Sequence, residues 1–261
     1  MRYLKVYRSF WINCLSRAME FRAQFLAGIV GYLIWTGVSL VFIQAVFSNV
    51  GTVRGWNQGQ MWVLYGSYVI TESLCYGLLG PNMFQFSGMV RDGSLDMALT
   101  KPLNTQFMVS ARYIDMNAVF NAVPGAVLLL LGLRHLGVHP APLDWALWLA
   151  MLLCGFVMAY CLWFLCVTCS IWAVKMEGIA VVFDPMMQMA RFPLQIYPRR
   201  LQPFLTVFLP IAFLTTYPAQ ALLGQCGAGV LGAALALAAA MLWLSHRFFQ
   251  YALGYYSSAS S

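Results

Sequence analysis

Charge is scarce in this sequence. Of 261 residues only 9% are Asp, Glu, Lys or Arg, against roughly 25% in an ordinary soluble domain. With 61% hydrophobic residues and a mean hydropathy of +0.73, a soluble globule of this length could not cover its core. Intrinsic disorder is excluded by the same numbers. The 21 Gly and 11 Pro are too few for a collagen-like or low-complexity chain, and the 7 Cys do not form a disulfide framework. Cys154, Cys161, Cys166 and Cys169 lie in one apolar run, where they act as small hydrophobes. The pair Cys166–Cys169 has no second pair and no His nearby, so no metal site is expected. What remains is an all-α, multi-pass membrane protein. At about 20 residues per span, the length admits six spans and leaves no room for a large soluble domain.

The net charge of +7 then points to the inner leaflet, because Lys and Arg accumulate on the cytoplasmic side. No nucleic-acid partner is expected. Residues 1–22 mix Leu4, Phe10, Trp11 and Leu15 with Arg2, Lys5, Arg8, Arg17 and Arg22. This pattern reads as an amphipathic helix on the cytoplasmic interface, touching lipid headgroups, or as a flank that orients the first span. It does not resemble a cleavable signal peptide.

Six apolar runs follow, near 23–47, 59–80, 107–133, 145–173, 178–197 and 225–244. Pro124 gives the third a reason to kink. With both termini inside, ten cations fall on the cytoplasmic side and five outside: Arg54, Arg134, Arg191, Arg199 and Arg200. That asymmetry supports the orientation. Residues 191–224 carry five prolines, at 193, 198, 203, 210 and 218, so no uninterrupted helix can cross them. The apolar stretch 204–214 is too short to span. Residues 198–223 therefore read as re-entrant outer helices between spans five and six, and a seventh span at 203–223 is the alternative. Residues 245–261 form a cytoplasmic tail. Small residues recur at fours in span six (Gly224, Ala228, Gly232, Ala236, Ala240) and in span three (Ala118, Ala122, Ala126). Such stripes serve close helix packing, within the subunit or between two copies, the former being the simpler assignment.

The eight acids can be read individually. Asp144 caps span four, Glu20 joins the basic amino-terminal helix, and Glu177 lies in a turn from Lys175 to Gly178. Glu72, Asp115 and Asp184 fall inside predicted spans, where an ionisable group marks a candidate polar site. Asp115 can pair with Arg112 on one helix face. Asp184 precedes Pro185 and can satisfy backbone at a helix break. Glu72 has no partner in the adjacent sequence. Three isolated acids do not make a proton relay. No enzyme constellation is present, and no phosphate-binding G-x-x-x-x-G-K-[ST], so ATP-driven work would need another chain. Aromatics at 15% and the Met-rich 186–189 suit an apolar cargo, or simply span anchors and core filling.

The longest polar cytoplasmic connection is FSGMVRDGSLDMALTKPLNTQF, residues 86–107. Asp92-Gly93 marks a turn, Ser94 can cap a short helix over 95–99, and Lys101-Pro102 ends it. Leu95, Met97 and Leu99 would then be available to a partner's groove. Val90-Arg-Asp-Gly-Ser-Leu-Asp-Met-Ala-Leu-Thr-Lys-Pro-Leu103 resembles the I-R-x-G-x-L-D-x-x-L-x-K-P-L signature of ABC-2 type permeases. Within them it is closest to a branch of exporter permeases of about this length. Arg191-Phe-Pro-Leu-Gln-Ile-Tyr-Pro198 and the tail Tyr251–Ser260 are similar to that branch.

The resemblance implies two permeases, identical or homologous, assembled with two cytoplasmic ATP-binding subunits in a bacterial inner membrane. ATP and Mg2+ would be bound by those subunits and no cofactor by this chain, which would be no enzyme itself and carry no fused ATPase. Residues 90–103 would be the coupling helix, with Arg91, Asp92, Leu95, Asp96 and Lys101 as contacts and the amino-terminal helix beside them. Arg191, Pro193, Pro198 and Pro210 would belong to an extracellular gate. The competing class is an ion-coupled transporter or channel using Glu72, Asp115 and Asp184.

Overall fold

The computed structural model describes residues 2–172 and 183–256. Among them the chain is helical, with no β-strand beyond one isolated bridge, Val53 to Trp56. The elements in order are α1 (Arg2–Glu20), α2 (Arg22–Asn49), α3 (Gln58–Leu74), a π-helical turn (Cys75–Leu79) and α4 (Gly80–Arg91). Then come α5 (Asp96–Leu99), α6 (Thr105–Ala111), α7 (Met116–Phe120), α8 (Ala122–Leu136) and α9 (Pro142–Thr168). The remainder comprises α10 (Phe183–Ala190), α11 (Gln202–Val207), a second π-helical turn (Ala212–Thr216), α12 (Tyr217–Leu222) and α13 (Ala228–Leu253).

Among the described residues four helices are long and apolar enough to cross a membrane: Arg22–Asn49, Met116–Leu136, Pro142–Ile171 and Gly229–Leu253. They correspond to predicted spans one, three, four and six. The second predicted span is helical but interrupted at the π turn, and it runs on to Arg91. Hydropathy falls after residue 80, yet nothing there stops a helix until Asp92 and Gly93. Span six likewise continues past 244 to Leu253, so His246 and Arg247 lie on a helix and not in a loose tail. The fifth predicted span, 178–197, is not one helix where it is described: α10 ends at Ala190, before Pro193. Residues 173–182 and 257–261, with the Lys175–Gly178 turn, lie outside the described residues.

Span three begins later than its apolar run. Residues 112–115 leave helical geometry between α6 and α7, so Arg112 and Asp115 do not share a helix face. Arg112 lies over the Tyr113 ring, and the Asp115 side chain accepts from the Ala118 N–H as an N-cap. The Pro124 kink is a break instead: α7 stops at Phe120 and α8 restarts at Ala122, placing Pro124 in a first turn, where its missing N–H is harmless. Asp144 closes the start of α9, accepting the Ala141 N–H at 2.8 Å.

The core is built on close helix approach. α3 and α8 run antiparallel and meet through glycine. A Cβ added to Gly66 would lie 2.6 Å from the Leu129 nitrogen, and one on Gly132 would lie 2.8 Å from that of Val63. Small residues permit this approach, but Gly125 and Gly132, not the alanine stripe at 118–126, supply them on α8. On α13 the inward residues are Ala234 and Ala238, while Gly232, Ala236 and Ala240 face outward. The predicted stripe therefore does not pack within the subunit. α2 buries only Thr36 and Ile43 and exposes most of its apolar surface.

Candidate functional site

At one end of the bundle α4 stops when the Asp92 N–H closes on the Gly88 carbonyl at 2.8 Å. Gly93 then takes φ +71, a left-handed conformation that suits glycine and reverses the chain. The Leu95 N–H donates back to Met89 (3.2 Å), and the Thr100 N–H to Asp96 (3.0 Å), closing the short α5. Ser94 makes no side-chain cap; its backbone carbonyl accepts from Met97.

Leu95 is fully buried and Ala98 nearly so, while Met97 is 64% exposed. Leu95 is therefore not available to a partner, because it is the anchor that seats α5 on the bundle. The outward surface consists of Arg91, Asp92, Met97, Leu99 and Lys101, with Asp96 half-buried. Arg91 and Asp92 form an exposed ion pair at 3.2 Å. Tyr3 of α1 reaches the same end, accepting the Asn104 N–H at 3.3 Å and meeting the Phe107 ring edge-on at 5.2 Å. From the carboxyl side, Tyr251 and Tyr255 gather around Trp172. Burial, and then the nearby Asp96 carboxylate, push the Tyr256 phenol above its usual pKa.

In the last turn of α3, Glu72 accepts hydrogen bonds from the hydroxyls of Tyr32 (2.8 Å) and Tyr68. The Arg191 guanidinium lies 5.6 Å from the Tyr68 ring centroid and 5.8 Å from that of Trp35. It forms no ion pair among the described residues. One turn beyond Glu72, the Tyr76 hydroxyl donates to Asp184, which sits in the first turn of α10; residues 181–182 before it lie outside the described residues. Phe183 beside it stacks on Trp163 at 4.1 Å and 4°. The structure thus brings Glu72 and Asp184 to neighbouring tyrosines and joins Arg191 to the Glu72 cluster. Asp115 stands apart and exposed. The i±4 neighbours Tyr68 and Tyr76 were readable beside Glu72 in the sequence; Tyr32 and Arg191 carry no local signal. No group of three metal-ligating side chains occurs among the described residues.

Two proline devices connect these regions. Pro81 has no N–H to return to Gly77, and the Gly77 carbonyl accepts the Asp115 N–H at 2.8 Å. Beside it Asn82 clamps Tyr113, donating to its carbonyl (2.7 Å) and accepting its N–H (2.9 Å). The break at 112–115 is thereby satisfied by the span it leans on, as membrane-embedded backbone must be. Likewise Pro218 leaves Leu214 without its helical donor, and the Thr71 hydroxyl lies 3.1 Å from that carbonyl.

The second π turn is held to the segment before it by Thr215 to the Ala190 carbonyl (2.7 Å) and by the Leu194 N–H to Thr216 (3.1 Å). Pro193 is buried ahead of the Leu194–Ile196 turn, and Pro198 is exposed. Pro210 is buried where α11 gives way to the second π turn. No helix runs through 203–223 unbroken: α11, the second π turn and α12 divide it. Trp56 pins the loop before α3 to this segment through Gln195, at 3.1 Å.

A search of curated proteins and a search of solved structures return no match. A family model described as "ABC-2 family transporter protein" matches residues 33–260, from within α2 to the penultimate residue. This chain, an all-helical membrane protein with an exposed short helix at one end, belongs to the ABC-2 transporter family.

Proposed function

We propose that the chain is the transmembrane permease subunit of an ATP-binding cassette exporter in a bacterial cytoplasmic membrane. ATP, with Mg2+, is hydrolysed on a separate cytoplasmic subunit, and a second permease, identical or homologous, completes the pathway. Both termini and α5 face the cytoplasm. The observation that carries this reading is α5 itself, within a family-matched chain. It is a four-residue helix seated by buried Leu95, flanked by Arg91, Asp92, Asp96 and Lys101, with Met97 projecting.

The proposed mechanism follows from how α5 is attached. A partner groove that binds α5 differently in its ATP-bound and ATP-free states shifts the permease by that difference in binding free energy. Displacement of α5 pulls on α4 through the Leu95–Met89 bond and on the 112–115 break through Asn82 and Gly77. α3 then carries it past Glu72 to Thr71 and Leu214 in the second π turn. Arg191, Pro193, Pro198 and Pro210 flank that turn and supply the extracellular gate, with 198–223 re-entrant from the outer face. The Glu72 and Asp184 clusters are polar ties between helices in this account and not ion-coupling sites. The test is purification of the full-length chain from native membranes. A cytoplasmic ATP-binding subunit is expected to accompany it, and to be lost on charge reversal at Asp92 and Asp96. Transport by the purified chain alone, driven by an ion gradient, would overturn the reading.

A further inference from the structure

A cavity of about 570 Å3 opens beside α13 at the α5 end of the bundle. Five elements meet there: Tyr7 of α1, Leu79 of the first π turn, Phe107 of α6, Phe156 of α9 and Leu242 of α13. Such a volume suits a small-molecule site, walled by apolar groups with a few convergent polar ones. The polar groups form one chain. His246 Nδ1 lies 2.9 Å from Gln106 Oε1, Gln106 Nε2 donates to Tyr160 Oη at 3.0 Å, and Tyr160 Oη meets Ser110 Oγ at 3.0 Å. Gln106 and Ser110 are more than nine-tenths buried. With the Gln106 oxygen facing His246 and its nitrogen facing Tyr160, His246 donates from Nδ1. Nε2 is left as an acceptor at the mouth, where His246 is exposed.

We infer that this cavity binds an amphiphile with an uncharged, hydroxyl-bearing head and an apolar chain. Among the described residues the lining contains no Asp, Glu, Lys or Arg, so an ionic head would be desolvated without a counter-charge from them. A hydroxyl supplies the donor that His246 Nε2 accepts, and the aromatic and aliphatic walls take the chain. The mouth lies beside the exposed apolar face of α13, at the depth the permease reading assigns to the inner leaflet. The inference rests on that reading for its depth. Its test needs neither ATP nor a partner, so each can fail without the other.

The probe is a diazirine-bearing monoacylglycerol, photolysed with the full-length chain in phosphatidylcholine nanodiscs and mapped by peptide mass. Label is expected on 104–111 and 242–246, displaced by excess monoacylglycerol but not by phosphatidylglycerol. Leu242→Trp, at a position 41% exposed, fills the mouth and abolishes the label. His246→Phe keeps a ring but loses the acceptor, lowering monoacylglycerol labelling about tenfold while a headless diazirine alkane labels as before. Extraction identifies the source. A stoichiometric neutral lipid recovered with the chain names a membrane lipid, and a site that takes the probe without releasing one names a transient solute; either outcome supports the site. Label spread evenly over the exposed faces of α2 and α13, or unchanged in both monodisperse variants, overturns it.

Discussion

At the scale of single residues, the value of a polar group inside the bundle follows from what it satisfies. Glu72 receives two tyrosine hydroxyls. Glu72→Gln keeps an acceptor for them, and thermal unfolding in detergent should change little. Glu72→Leu strands both hydroxyls and should cost about 1–3 kcal/mol. A loss of ATP-driven transport in Glu72→Gln, with stability intact, would instead favour ion coupling. Asn82 has a larger share, since its amide serves both the N–H and the carbonyl of Tyr113. Asn82→Leu should destabilise the chain by about 2–4 kcal/mol, each orphaned backbone group adding its own desolvation penalty. The check is the unfolding midpoint in a denaturing detergent titration. Leu95→Asp would place a carboxylate where no side-chain surface is exposed; proteolysis at 92–100 should accelerate sharply, whereas Met97→Asp should leave it unchanged.

Among the elements, regular helices were legible from composition and the irregular ones were not. α2, α9 and most of α8 and α13 are long apolar runs, although α13 continues past the predicted limit at 244 to Leu253. The 86–107 loop was legible for another reason: Asp92-Gly93 and Lys101-Pro102 punctuate it, and its residue order resembles a family signature. The break at 112–115 was hidden because its apolar run continues on both sides. What permits it lies in another span, at Gly77, Pro81 and Asn82. The inward turn of Leu95 was missed because a four-residue helix shows no periodicity from which to assign a face. Helix approach is set by glycines that no small-residue stripe announced. A Cβ on Gly155 would lie 2.4 Å from the Phe213 carbonyl oxygen, in the second π turn. Gly155→Ala should therefore destabilise by roughly 1–3 kcal/mol, while Gly232→Ala, which meets nothing within 4 Å, should be neutral in the isolated subunit.

At the scale of the whole molecule, a single chain leaves α2 and the Gly232–Ala240 face of α13 largely uncovered, and it presents α5 outward at one end. Under the proposed function these open surfaces belong to a component of an assembly. The scarcity of charge sharpens that description. Glu72 and Asp184 are held by tyrosines, and the proposed function places the energy source on a partner docked at 91–101. The most direct test is ATP turnover by the affinity-purified full-length chain. The wild-type preparation is predicted to hydrolyse ATP through a co-purified subunit. Asp92→Lys with Asp96→Lys should abolish that turnover, while the chain stays monodisperse and its unfolding midpoint is unchanged. Equal turnover in both preparations, or none in either while an imposed ion gradient alone drives transport, would contradict it.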